Sequence, residues 1–130
     1  MSKLKVKFQE NISPPKYLYH LVPSELFYKF VDDYGNYDCR NKKEWGNNSP
    51  FIHTTPTKKQ LKERVADPNW SKYPREKKFL LLKINSRVDK LEFTNFLTRG
   101  YIYYHIWDQL SKNTFNILKV KRSRDGKFLI

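Results

Sequence analysis

The stretch FLLLKIN, residues 79–85, places the tightest constraint on this chain. Its apolar residues run almost without a break, so neither helical nor strand spacing leaves a face for water. It is far too short to span a bilayer, which takes about 20 apolar residues. A short apolar run bounded by polar sequence reads as a central strand covered on both faces. The rest of the chain must supply the layers that cover it.

Several segments can do so. Lys3 to Gln9 alternates polar and apolar residues, a period-two strand whose lysines place it near a sheet edge. NISPP (11–15) is a turn, and YLYHLV (17–22) is a strand of aromatic and branched residues. Pro23 then stands at a first helical position, with Leu26, Phe27, Phe30 and Val31 on one helix face. Residues 34–50 form a long polar connection of the kind that serves as a functional flap. Next comes SPFIHTTPTKKQL (49–61): a strand over 51–54, then a helix from about Pro56 to Ala66. Leu61 and Val65 face the core there, and Lys58, Lys59, Lys62 and Arg64 take the remaining surface. The loop 67–78 is basic and carries Trp70 and Tyr73, both expected to be exposed. Further strands are expected over 87–93, 101–107 and 114–121, with an RDG turn into a final KFLI strand. The sum is one α+β domain over residues 1–130, with a mainly antiparallel sheet and two principal helices. No glycine-rich loop follows any strand, which excludes Rossmann and P-loop folds.

Composition narrows the partners. Lys and Arg number 26 against 13 Asp and Glu, a net charge of +13 spread through both halves. Such a field attracts phosphates, nucleic acid or anionic membrane. Lysine far outnumbers arginine and asparagine is abundant, so compositional bias is the other source of the charge. Cys39 is the single cysteine, which rules out an internal disulfide and reads as intracellular. Neither a membrane span nor an apolar signal core is present in the sequence, so a cytoplasmic protein is expected.

All three histidines end aromatic or branched runs: YLYH, FIH and YIYYH. Two are followed at the same offset by proline and a helix, His20-Leu-Val-Pro23 and His53-Thr-Thr-Pro56. Such corners present unpaired N–H groups and a positive dipole end, which suit a phosphate or carboxylate. Thr54 and Thr55 add hydroxyls for a ligand or a helix cap. The plain alternative is that each histidine is a structural hydrogen-bonder at a strand end. Wide spacing among the three, with no close His or Cys pair, argues against zinc, and no metal is expected. No serine or cysteine sits in a nucleophile elbow. Glu92 and Asp108 are the acids near the histidine strands, and no spacing marks them as a pair.

The segments YHLVPSELF, FIHTTPTKKQL, FLLLKIN and YYHIWDQL followed by FNILKV occur in the order seen in the domain of unknown function 952 family. The chain resembles that family over about residues 17–121. The family is similar in fold to ADP-ribosyltransferases and RNA 2′-phosphotransferases, which use NAD. The resemblance implies an ADP-ribosyltransferase-like split sheet and a cleft lined by the three histidines. It makes His20 a ligand of the NAD ribose. It sets His53, Thr54 and Thr55 near the nicotinamide ribose and phosphates, His105 as the third cleft histidine, and Trp107 beside them. Glu92 is the best match for the catalytic glutamate, with His53 and His105 as its catalytic companions. Departures are Pro50 for the usual Gly, Thr54-Thr55 for Cys-Ser, Tyr104 for Pro and Trp107-Asp108 for Tyr-Gly. The implied activity is transfer of ADP-ribose from NAD, or a reaction on a related phosphate-bearing nucleotide. The alternative is a non-catalytic module that binds a nucleotide or, through the basic surface, nucleic acid.

Overall fold

A computed structural model describes residues 14–43, 48–67, 70, 73–74, 76–98 and 100–130. Its elements are β1 (Tyr17–Pro23), α1 (Ser24–Phe30), β2 (Ile52–Thr54), α2 (Lys58–Val65), β3 (Phe79–Asn85), β4 (Phe93–Thr98), β5 (Tyr101–Ile106), β6 (Phe115–Lys119), β7 (Lys121–Arg122) and β8 (Phe128–Leu129). The fold is α+β, with two helices and antiparallel pairing throughout the named strands. One sheet has the order β1-β3-β6 and a second the order β2-β5-β4; β7 and β8 form a terminal hairpin.

The apolar run becomes β3, the middle strand of the first sheet. Alternation sends Leu80, Leu82 and Ile84 to one core and Phe79 and Leu81 to another. In the first core they meet Phe27 of α1, and Ile52, Tyr104 and Ile106 from the inner face of the second sheet. Leu61 and Val65 of α2, with Phe128, close the second core. Both faces of β3 are therefore dry, which is why the run has no polar stripe.

Among the described residues, one backbone bridge joins the two sheets. Tyr19 N–H donates to the Thr55 carbonyl and Thr55 N–H to the Tyr19 carbonyl, each at 2.9 Å. This exchange occupies the Thr55 backbone, and the next turn must be capped further on. Thr57 does that: its hydroxyl accepts from Gln60 N–H at 3.0 Å, so α2 starts at Lys58 rather than near Pro56. Pro23 likewise closes β1 and caps α1 instead of opening it, with ψ at 137°.

Other expectations change. The strand expected over 87–93 is a turn region, because Asn85 Oδ1 accepts from Arg87 N–H and diverts the chain. The strand instead starts at Phe93, where clean pairing with β5 begins. Trp70 and Tyr73 are half-buried: Trp70 packs on Phe79 and Phe128, and Tyr73 on Phe79. The expected strand 3–9 lies outside the described residues, as does part of the basic loop.

The long connection after α1 contributes to the core. Tyr37 is 0% exposed and stacks on Phe27 at 5.1 Å. Its backbone exchanges two 2.8 Å hydrogen bonds with Leu110. Tyr37→Ala is expected to cost about 3–5 kcal/mol, by analogy with large aromatic truncations. Tyr37→Phe, which deletes only a hydroxyl bonded to His20, should cost about 1–2 kcal/mol. Urea denaturation separates the two, and a Tyr37→Phe protein as unstable as the alanine variant would contradict this assignment.

Candidate functional site

The β2–β5 register sets His53 directly opposite His105. Ile52, Thr54, Tyr104 and Ile106 turn inward, so alternation turns Phe51, His53, Tyr103, His105 and Trp107 to the other face of the sheet. On β4, Thr94 and Phe96 pair with His105 and Tyr103 and share that face. The result is a strip of aromatic and imidazole rings on the outer side of the second sheet.

His53 Nδ1 lies 3.2 Å from His105 Nε2. One proton joins the two rings, since two protonated nitrogens could not face each other at that distance. His105 is 7% exposed, stacked on Phe51 with centroids 3.6 Å apart, and it meets Phe96 at 4.3 Å. Tyr103 covers His53 at 4.9 Å. Trp107 stands edge-on to Phe51 and donates its indole N–H to Thr94 Oγ1 at 2.7 Å. Among the described residues, His53 Nε2 is shielded from water and has no hydrogen-bond partner. Buried polar atoms are nearly always hydrogen-bonded, so this nitrogen stands apart from the rest of the face.

The third histidine has a different position. His20 shares the side of β1 that carries Leu18 and Val22. Its Nδ1 lies 2.9 Å from the His53 carbonyl and its Nε2 3.1 Å from the Tyr37 hydroxyl. A carbonyl only accepts, so Nδ1 carries the proton and Tyr37 O–H donates to Nε2. Both ring nitrogens are thereby used in tying the two sheets together. The structure thus brings His53 and His105 side by side, and His20 reaches the backbone of His53 rather than its ring.

Thr54 and Thr55 do not face a ligand. Thr54 is 0% exposed and donates to the Tyr104 carbonyl at 2.7 Å, and buried Thr55 turns its hydroxyl toward the Thr57 carbonyl at 3.4 Å. Glu92 is exposed at the start of β4, where its backbone holds Asp108 and Trp107. Among the described residues no hydrogen bond or ion pair joins its carboxylate to a histidine. Cys39 is half-buried, and burial raises its thiol pKa, the reverse of an activated nucleophile.

Arg64 is the residue that sequence reasoning placed on open surface. Gln60 and Arg64 lie four apart on α2 and face β5, where the Gln60 amide donates to the Ile102 carbonyl at 3.0 Å. Arg64 is half-buried, and burial lowers its pKa. Its charge adds to a burial effect that holds all three histidines neutral. His20 and His105 are each lowered to about 4, and His53 to about 2 with smaller contributions from the other two rings. The i, i+4 spacing of Gln60 and Arg64 was visible, but not the strand edge it would meet.

Among the described residues no group of three His, Cys, Asp or Glu is arranged to hold a metal, and no helix is long and apolar enough to cross a membrane. No family model matches the chain, and no curated protein matches it. The fold is that of a two-sheet α+β protein, and it is similar to the crystal structure of protein CC0527 from Caulobacter crescentus. The TM-score is 0.61 at 14% identity, covering 87% of this chain and 93% of that one; a double mutant of the same protein matches equally. At that identity the likeness concerns the fold alone.

The lowered histidine pKa values make acid destabilising. As pH falls below about 6.5, the unfolded chain takes up protons that the folded one refuses, down to about 4 for His20 and His105 and further for His53. Each histidine can contribute up to about 1.4 kcal/mol per pH unit in that window. Urea midpoints are expected to fall steadily between neutral pH and the mildly acidic range, with a shallower slope in His105→Phe. A flat profile over that range would contradict the neutral assignment.

Proposed function

We propose that the outer face of the β2-β5-β4 sheet is a binding cleft for a nucleotide of the NAD or ADP-ribose type. The observation that carries this reading is the sheltered His53 Nε2, which has no partner among the described residues and lies within a wall of aromatic rings. Aromatic faces suit a base or ribose, and an imidazole nitrogen suits a sugar hydroxyl. The split into two three-stranded sheets, joined among the described residues by the backbone bridge of Tyr19 and Thr55, supports an ADP-ribosyltransferase-like fold. The residues of the cleft are His53, His105, Phe51, Tyr103 and Trp107. His20, Thr54 and Thr55 hold the frame behind them. Stacking through Trp70 and Tyr73 has less support, because both rings pack inward. That weakens the case for a nucleic-acid module.

Turnover is the second reading. Glu92 precedes Phe93 and lies on the strip side of the sheet, its carbonyl accepting from Trp107 N–H at 3.0 Å. A ligand reaching past Trp107 would meet its carboxylate, as transfer of ADP-ribose from NAD requires of an acid near the acceptor.

Calorimetry with NAD and ADP-ribose tests the cleft, and release of nicotinamide tests the transfer. Binding of either ligand is expected to weaken about tenfold or more in His53→Ala, equivalent to about 1.4 kcal/mol. Glu92→Gln should leave binding intact and abolish nicotinamide release. Undiminished binding by His53→Ala would remove this face from consideration, and release that survives Glu92→Gln would remove Glu92 from the chemistry.

A further inference from the structure

We propose that Arg64 is the anion anchor of this cleft and that the group it takes is a phosphoryl or pyrophosphoryl group of the nucleotide. This inference rests on the nucleotide reading and goes further by assigning the anionic part of the ligand to a residue. Beside α2 lies a cavity of about 220 Å³ lined by Gln60, Glu63, Arg64, Asp67, Tyr101 and Tyr103. Tyr103 belongs to both places: it lines the cavity and its ring covers His53 at 4.9 Å. The cavity and the ring strip therefore adjoin at Tyr103.

Arg64 has no hydrogen bond or ion pair among the described residues, although it is half-buried. A partly desolvated guanidinium is ordinarily forked onto a carboxylate or phosphate. Two carboxylates are at hand and neither takes it. Glu63 is exposed and accepts from the Tyr101 hydroxyl, and among the described residues no ion pair joins Asp67 to Arg64. The imidazoles near Arg64 are neutral, so they set no second positive charge beside it. Five N–H donors in a fixed fork match a group with several anionic oxygens better than a single hydroxyl. Gln60, pinned to Ile102, holds this face of α2 against β5.

A purely structural arginine would be missed when removed; an unsatisfied anchor would not. Arg64→Met is therefore expected to leave the thermal midpoint of the free protein unchanged or higher. Titrating the full chain with inorganic pyrophosphate should shift the Arg64 Nε–Hε resonance saturably. Arg64→Gln should abolish pyrophosphate binding and weaken ADP-ribose about tenfold or more while leaving adenosine binding as it was. Arg64→Lys should recover part of the loss.

The two readings fail separately. Pyrophosphate binding through Arg64 without any ADP-ribose affinity would keep the anchor and overturn the nucleotide. ADP-ribose bound equally by wild type and Arg64→Gln would keep the cleft and overturn the anchor. A pyrophosphate response scattered over surface lysines, or a folded state lost in Arg64→Met, would also overturn it. Arg64-dependent binding of a short RNA in place of ADP-ribose would assign the same cation to a polymer and overturn the nucleotide ligand.

Discussion

The reciprocal backbone pair between Tyr19 and Thr55 is the constraint on which the rest depends. It is the backbone bridge between the two sheets among the described residues, and it fixes where β2 leaves the frame. Beside it, His20 ties the carbonyl of His53 to the hydroxyl of Tyr37, so the same joint anchors the long connection after α1. The register of β2 on β5 then leaves no freedom in where His53 lies relative to His105. A one-residue slip of β2 would send His53 into the first core and Ile52 outward, and His105 would lose its partner.

The electrostatics of the face follow from that geometry. Packing removes water from the imidazoles, and the nearby guanidinium of Arg64 adds to the penalty for charging them. The face therefore combines one cation, neutral hydrogen-bonding nitrogens and aromatic walls, with no carboxylate in contact with the rings among the described residues. An imidazole lowered so far is a weak base, so the face is poorly suited to moving protons. The chain is strongly positive as a whole, and at this face the charge nearest the rings is the half-buried Arg64.

Much of this was legible from local pattern. The FLLLKIN run announced a strand dry on both sides, and the spacing of Leu61 and Val65 announced the buried face of α2. The three histidines stood out by their shared context, and two of them do share a face. What was misread involved competing partners. Thr54 and Thr55 offered hydroxyls, but one is consumed by the Tyr104 carbonyl and the other is buried at the joint. Trp70 and Tyr73 lay in a basic loop, yet Phe79 and Phe128 supply an apolar surface that draws them in. Tyr37 lay among polar residues, with no periodicity to show that Leu110 would pair with it.

The sequence by itself determined the α+β class, the central strand, the amphipathic second helix and the candidate histidines, because each depends on neighbours within a few residues. Only the tertiary structure decided which histidine is frame and which is face, and that Arg64 leaves open solvent for a cavity beside Tyr103. Those outcomes depend on the pairing of β1 with β3 and of β2 with β5, contacts between residues 50 or more positions apart that no local pattern encodes.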